Sequence, residues 1–418
     1  MKLRSVFYLT NKLGIEPTIG FKKSIIIRFH KNNNYETTSL SRNFFFQNCL
    51  LFFRLLSFWL LKKRFNHVSL TSYIVETSLP IKERVSFLKH INNTYPFEFI
   101  SGSNLVVNDS WSRNSLLRLW WIFFKTAVIN VFQKNEQQTK YFWPLFNMLI
   151  GTDLKSKSNF YVFRPYHLTS YLYAYYISNR ISNVFFISSN TSLYPRRYSY
   201  LPKVTLIACS SFQLEEIKAF EKRGWSQFKG VKKGVLEEFS QFHDFPSFDD
   251  PYDIGIYSTG HWARINGISR ITNIALLGDE GFIDNIHYQS FLNKIHQIIK
   301  IKQELGLRVK YYFHPYERKL YKTYNVLPPH IKLLEDNDIE YDLKTNLNSI
   351  SLLNECKIGI SQISTIISDR WESDLKGIYY LDKNSSFIEK KYVGHFSESV
   401  VYNSYELNKQ IVKLLNLQ

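Results

Sequence analysis

Cysteine is scarce: Cys49, Cys209 and Cys356 are the only three in 418 residues, widely spaced and with no C-x-x-C pair. A dispersed, odd set of this kind does not make a disulfide framework or a structural zinc site, and it fits a reducing, cytosolic compartment. Glycine and proline are also few, at 16 and 12. That deficit excludes collagen-like, elastic and long-linker architectures. Charged residues are 21% of the chain against 44% apolar, too low a charge density for intrinsic disorder and enough apolar mass for sizeable cores. A length of 418 residues makes two domains the natural expectation.

Several motifs are missing as well. There is no G-x-x-x-x-G-K-[ST] loop, G-x-S-x-G elbow, H-E-x-x-H pair or G-x-G-x-x-G turn. Nucleotide hydrolysis, serine-esterase, zincin and dinucleotide-redox chemistries therefore lack their usual carriers. No D-x-D stands out in the amino-terminal half to hold a metal–nucleotide pair, and no repeat is visible. Met1–Gly20 has no continuous apolar stretch followed by a small-residue cleavage site, so a secretory signal is not expected.

What is present is basic and aromatic. The 34 Phe, 28 Tyr and 8 Trp accompany many Asn, Lys and Ile, as A/T-rich codons would give, and they carry little functional weight. Lys and Arg number 53 against 35 Asp and Glu, and the excess is uneven: residues 1–150 hold 20 against 7, the rest 33 against 28. A basic amino-terminal third on a nearly neutral body predicts an anionic partner surface. Zinc-finger spacing, RNP-like runs and homeodomain-like helices are absent, so nucleic acid fits poorly and anionic lipid headgroups fit better. Two segments bear on this. Phe44–Leu61, followed by Lys62-Lys63-Arg64, is interrupted by Gln47, Asn48 and Arg54. A charge near its centre would cost at least about 2.5 kcal/mol in a bilayer, which favours an interfacial docking helix over a span. In Leu116–Phe132, Arg118 and Lys125 lie two turns apart on a face roughly opposite Trp120 and Phe123, an amphipathic pattern. A helix packed in the domain core is the other reading of both segments.

Apolar strand-like runs at Ser24–Phe29, Val68–Val75, Asn104–Val107, Phe160–Arg164, Val184–Ser188 and Val204–Cys209 alternate with helical stretches, among them Phe212–Arg223 closed by Gly224. Such alternation predicts α/β layering on a mostly parallel sheet. Phe239–Tyr252, with two prolines and three acids, reads as an interdomain connection, giving domains at 1–240 and 251–418. The second half predicts strands at Asp253–Tyr257, Ile271–Leu277, Arg308–Phe313, Ile331–Leu334, Lys357–Ile360 and Gly377–Leu381. Helices are expected at Tyr288–Leu305, Ser349–Cys356, Thr365–Trp371 and Tyr405–Leu415. In the first of these Phe291, Ile295, Ile298 and Ile299 share one side and Gly306 ends the helix. The succession has the size of one Rossmann-like domain, and two such domains facing across a cleft are the GT-B architecture of sugar transferases.

Loops just beyond strands are where open parallel sheets bind ligands. In Phe313-His314-Pro315-Tyr316-Glu317, proline stops the strand and holds His314 at its carboxyl edge, where an imidazole can meet a phosphate. Ser361-Gln362-Ile363-Ser364-Thr365 offers hydroxyls at a helix start, which serve equally as caps or as phosphate donors. Gly278-Asp279-Glu280-Gly281 places paired acids on a turn, either solvated or poised as a general base. Ser258-Thr259-Gly260 with Arg264 four residues on could receive a carboxylate or phosphate, or form a tight turn beside a buried Trp262. Arg196 and Arg197 are candidates for gripping an acidic acceptor or are simply a basic loop.

Asp279-Glu280-Gly281, then His314-Pro315, then the Ser/Thr loop Ser361–Thr365 resemble in order the D/E-D/E-G, H-P and S/T motifs of bacterial lipooligosaccharide sialyltransferases and polysialyltransferases. The resemblance covers about 100 residues. It implies a GT-B fold, CMP-sialic acid as donor and a single inverting displacement with no essential metal or other cofactor. It makes Asp279 or Glu280 the base, sets His314 on the CMP phosphate and has Ser364 and Thr365 hold that phosphate. Ser258, Thr259, Gly260, Arg264, Pro315, Glu317 and Ser361 complete the expected donor site. The H-P and Ser-rich features also resemble Kdo transferases and polyol-phosphate polymerases, so a CMP-Kdo, CDP-polyol or UDP/dTDP-hexose donor stays open. The expectation is a glycosyltransferase of capsule, lipooligosaccharide or O-antigen synthesis. It would act on a glycan or glycolipid acceptor, peripheral on the cytoplasmic face of the plasma membrane. A non-catalytic scaffold of polysaccharide assembly is the alternative of another class.

Overall fold

The structure, a computed structural model, describes residues 4–15, 22, 25, 72–76, 97–102, 107–108, 110–132, 136–155, 157–163, 168–187, 199–208, 211–233, 248–260, 262–263, 285–341, 343, 350–362, 364, 366–382 and 394–417. By its internal packing the chain divides into two compact units. One is drawn mostly from residues up to Val235, the other from Leu236–Gln418 together with Ser210–Ala219. Both are α/β, and each is built on a six-stranded sheet whose pairings are all parallel. Two Rossmann-like units in one chain are the make-up of the GT-B type.

The first unit contains β1 (Ser72–Glu76), β2 (Phe97–Ser101), β3 (Asn159–Phe163), β4 (Val184–Ile187), β5 (Ser199–Ala208) and β6 (Ser226–Lys233), in the order β2-β1-β3-β4-β5-β6. The helix Leu168–Ser178 is apolar all round and buried along nearly its whole length, as a central crossover helix must be. Its Tyr171 hydroxyl donates to Tyr200 O and accepts from Tyr200 N, both at 3.0 Å, and so fastens the helix to β5. The helix Arg113–Phe132 packs on Arg4–Lys12 and on Glu136–Gly151, and Phe123 meets Phe146 edge-on at 5.1 Å.

The second unit contains β7 (Tyr252–Tyr257), β8 (Val309–Tyr312), β9 (Glu340–Tyr341), β10 (Cys356–Ser361), β11 (Lys376–Tyr380) and β12 (Val400–Val401), in the order β12-β11-β10-β7-β8-β9. Alternate residues face opposite ways along a strand, and both faces of this sheet are covered. Ile254, Ile256, Val309, Ile358 and Ile360 pack on Phe291, Ile295 and Ile298 of the helix Asn285–Leu305 and on Leu407 and Ile411 of the closing helix Ser404–Leu415. Tyr257, Tyr312, Cys356 and Tyr379 pack on Ile366, Ile367 and Trp371 from the other side, joined by Phe212. The expected helical stripe Phe291, Ile295, Ile298 and Ile299 is buried throughout.

Three expectations are corrected. Ile331–Leu334 is not a strand but the start of the helix Ile331–Glu335: a four-residue apolar run fits either period, and burial of Ile331 and Leu334 three apart selects the helix. Ser349–Cys356 contains a 3₁₀ turn at Ile350–Glu355, and Cys356 already belongs to β10. Of the Val204–Cys209 run, Val204–Ala208 is only the end of β5, which continues back through Pro202, and Cys209 lies outside the described residues. Pairing with β6 is irregular between Leu201 and Thr205, where proline leaves a gap in the ladder. The predicted strand Ile271–Leu277 and the docking segment Phe44–Leu61 lie outside the described residues, as do all but single residues of Ser24–Phe29 and Asn104–Val107.

Candidate functional site

In the second sheet the chain runs from β7 outward through β8 to β9, then crosses back to β10 on the other side of β7 and continues to β11 and β12. The order therefore reverses between β7 and β10. In open parallel sheets the crevice at the carboxyl ends of the strands flanking such a reversal is the ligand site. Ser258–Gly260 follow β7, His314 follows β8, Gln362 and Ser364 follow β10, and Asp382 follows β11.

Local chemistry shapes each loop. Ser258 N donates to Tyr312 O at 2.9 Å, and Gly260 N donates to Ser258 Oγ at 3.1 Å, turning the chain sharply off the sheet. Gly260 has φ of +70°, and a Cβ there would sit 2.8 Å from both Cγ and Nδ1 of His314. The turn after β7 and the histidine after β8 are thus in direct apposition. The HPYE stretch starts a helix at the strand end. Glu317 N and Arg318 N donate to His314 O, Pro315 occupies the first turn, and His314 N donates back to Glu317 Oε2 at 2.9 Å. This is a reciprocal cap, with a wholly buried Glu317 fixing the backbone of His314. Glu317 therefore positions the histidine from below, while Pro315 is exposed.

Across the reversal, Ser361 Oγ donates to Tyr257 O at 2.8 Å, tying β10 to β7. Ser364 Oγ accepts from Ile366 N at 3.4 Å, and Ser364 O accepts from the Tyr379 hydroxyl at 2.7 Å. Thr259 is 3% exposed, and its hydroxyl has no hydrogen-bond partner among the described residues. A buried hydroxyl without a partner costs roughly 1–3 kcal/mol.

Sequence reasoning missed a fourth contributor. Asp382 accepts from Ser290 Oγ at 2.7 Å and from Lys294 Nζ at 2.5 Å on one oxygen, and from Gln362 Nε2 at 2.9 Å on the other. Burial pushes the Asp382 carboxyl up, but hydrogen bonds and charge from Lys294, aided by Ser290 and Gln362, outweigh it and hold the group below its ordinary range. Burial lowers Lys294 against the opposing pull of Asp382. The pair anchors Gln362, hence the loop after β10, to the helix Asn285–Leu305. An acid directly after an apolar strand was the available signal for Asp382. For Lys294, beside Ile295 on the buried face, there was none.

Among the expected site residues the structure brings Ser258, Thr259, Gly260, His314, Pro315, Glu317, Ser361 and Ser364 to one sheet edge. Asp279, Glu280, Arg264, Thr365, Arg196 and Arg197 lie outside the described residues. Among the described residues no cluster of three or more His, Cys, Asp or Glu side chains is placed to hold a metal ion, and no helix is long and apolar enough to cross a membrane.

No family model matches the sequence, and no curated protein matches it. Among solved structures the chain is similar to the UDP-GlcNAc 2-epimerase of Methanocaldococcus jannaschii in complex with UDP-GlcNAc and UDP. The identity is 13% and the TM-score 0.43, over 83% of this chain and 93% of that one. It is similar to a trehalose-6-phosphate synthase at 9% identity and a TM-score of 0.43, over 83% and 91%. The UDP-N-acetylglucosamine 2-epimerase of Rickettsia bellii follows at 10% identity and a TM-score of 0.35, over 82% and 87%.

Proposed function

We propose that the carboxyl edge of the second sheet binds the phosphate of a nucleotide sugar and that the chain is a glycosyltransferase of the GT-B type. The observation that carries this reading is the convergence of Ser258–Gly260, His314, Ser361, Gln362 and Ser364 at the strand-order reversal, with the buried Thr259 hydroxyl lacking a hydrogen-bond partner among the described residues. Small residues, a hydroxyl and an imidazole in apposition suit a phosphate better than an apolar ligand.

CMP-sialic acid is the favoured donor, on the ordered motif series Asp279-Glu280-Gly281, His314-Pro315 and Ser361–Thr365. In that reaction Asp279 or Glu280 takes the proton of an acceptor hydroxyl as its oxygen attacks the anomeric carbon. The bond from that carbon to the phosphate oxygen breaks, and CMP leaves with inversion. His314 hydrogen-bonds the phosphate as its charge grows, and Ser364 and Thr365 hold it. The product is a sialylated glycan of a bacterial surface polysaccharide.

Many transferases slowly hydrolyse their donor without acceptor, so nucleotide release from CMP-sialic acid, CMP-Kdo, CDP-glycerol and UDP-hexoses tests the reading directly. The expected result is CMP release from CMP-sialic acid, reduced at least about a hundredfold in His314→Ala. Release from another donor alone would keep the transferase and change its sugar. Silence, with no nucleotide raising the melting temperature, would leave the scaffold reading.

A further inference from the structure

The helix Arg113–Phe132 carries large apolar side chains on two opposite faces. At about 100° per residue, Leu116, Leu119, Phe123, Thr126 and Asn130 fall on one side, and all five are buried. Leu117, Trp121, Val128 and Phe132 fall on the other, about 180° away, and all four are exposed, Trp121 to 48% and Phe132 to 83%. The exposed row runs for about 22 Å along the helix. Trp121 stacks on the half-buried Phe124 at 5.6 Å, making the middle of the row a continuous aromatic ledge.

A soluble helix ordinarily turns its polar side to water. Here, apart from Asn114 in the first turn, the charged residues form the margins of the row. Arg113 flanks one side of the row, while Arg118 and Lys125 flank the other, and all three are exposed. Lys125 Nζ lies 4.8 Å above the Trp121 ring, so the cation sits at the level of the indole. No aspartate or glutamate occurs anywhere in the twenty residues. The charge is therefore of one sign, and the apolar row consists of Trp, Phe, Leu and Val.

We propose that this face is a membrane-docking surface that lies flat on an anionic bilayer, with Trp121 and Phe132 entering the headgroup–acyl boundary and Arg113, Arg118 and Lys125 pairing with lipid phosphates. An aromatic side chain that is half apolar and half polar is most stable at that boundary, and flanking cations add attraction to an anionic leaflet. Charge complementarity selects the lipid. A second copy of the chain would bring the same cations against themselves, and an apolar protein groove would not call for a margin of one sign. With its other face packed in the core, the helix lies along the surface and does not cross it. The surface belongs to the first unit and is independent of the donor bound by the second.

The test is co-sedimentation of the full-length protein with vesicles of phosphatidylcholine alone and of phosphatidylcholine carrying about one third phosphatidylglycerol. The expected result is binding to the anionic vesicles, weakened by raised salt and at least about tenfold weaker on the neutral ones. Trp121→Ser combined with Phe132→Ser is expected to weaken binding at least about tenfold, and Arg113→Gln, Arg118→Gln and Lys125→Gln together to abolish the anionic preference. Because these side chains are exposed, the variants keep the parental melting temperature, and Phe132→Ser alone gives a milder version with the same sign. Absence of vesicle binding by the parent protein would overturn the proposal, as would equal binding by parent and both variants. A concentration-dependent dimer abolished by Trp121→Ser, without vesicle binding, would overturn it in favour of self-association. Donor release in the nucleotide panel is unaffected by any of these outcomes, so failure here and failure of the transferase reading are told apart.

Discussion

Gly260 combines two demands that no other residue meets: a backbone at φ +70° and a Cα against the imidazole of His314. Gly260→Ala would pay about 1–2 kcal/mol for the left-handed backbone and would push His314 out of place. We expect chemical denaturation to show that loss and nucleotide protection to disappear with it. Lys294 and Asp382 predict an asymmetry. The Lys294 side chain is 9% exposed and that of Asp382 45%. Removing the acid strands a buried cation, whereas removing the lysine leaves a carboxylate that water can reach. Asp382→Asn should therefore cost about 3 kcal/mol and Lys294→Met nearer 1 kcal/mol, measured by urea unfolding. His330 is buried among Phe291, Tyr311 and Phe313, its Nδ1 3.0 Å from the Tyr288 hydroxyl, and burial lowers it from 6.5 to about 4. The unfolded chain then binds the extra proton between those values, so the stabilising contribution is complete above pH about 6.5 and is lost as pH falls towards 4. Melting temperature should fall over that window, with a shallower slope in His330→Asn. Glu317 is the nearby carboxylate, and its charge adds to the burial that raises Tyr288 and Tyr311.

At the scale of elements, a buried arginine holds the second sheet's far side together. Arg370 is fully buried in the helix Ile366–Glu372, and its guanidinium donates to Lys376 O at 2.6 Å, Cys356 O at 3.0 Å and Lys357 O at 2.9 Å, and to Leu353 O. It thus joins the helix to the 3₁₀ turn Ile350–Glu355 and to the starts of β10 and β11. A Cβ at position 359 would sit 2.5 Å from Arg370 Cδ, which is why glycine lies on β10 beneath it. A planar fork with several donors fits this ring of carbonyls and an ammonium does not, so Arg370→Lys should destabilise by about 3 kcal/mol in a denaturant titration. Element identity was legible where the pattern was long: the 21-residue helix Asn285–Leu305 shows four apolar positions on one side. It was not legible in β6, SQFKGVKK, whose alternation is weak because it is a sheet edge, where exposed lysines guard against further pairing. The two-residue strands β9 and β12 carry no period at all.

For the whole molecule, a ligand that binds only the folded state raises stability by mass action, by about 2.7 kcal/mol at a hundred times its Kd. CMP should therefore raise the melting temperature of the parent protein by a few degrees and leave Gly260→Ala unmoved, as read by scanning calorimetry. The sequence alone determined the α/β class and the basic bias of the first third, because hydrophobic period and charge are local properties of the chain. It also placed His314 just past a strand, since proline ends a strand through its own backbone chemistry, whereas Ser361, expected in the loop, is the last residue of β10. What only the tertiary structure decided is adjacency. The reversal of strand order sets β7 between β8 and β10, and this sets Gly260 against His314 and ties Ser361 to Tyr257. It likewise decided which face of Arg113–Phe132 is covered, and so which apolar residues are left outward. Period marks an apolar side of a helix, but packing against other elements selects the side that is buried, and those partners are distant in sequence.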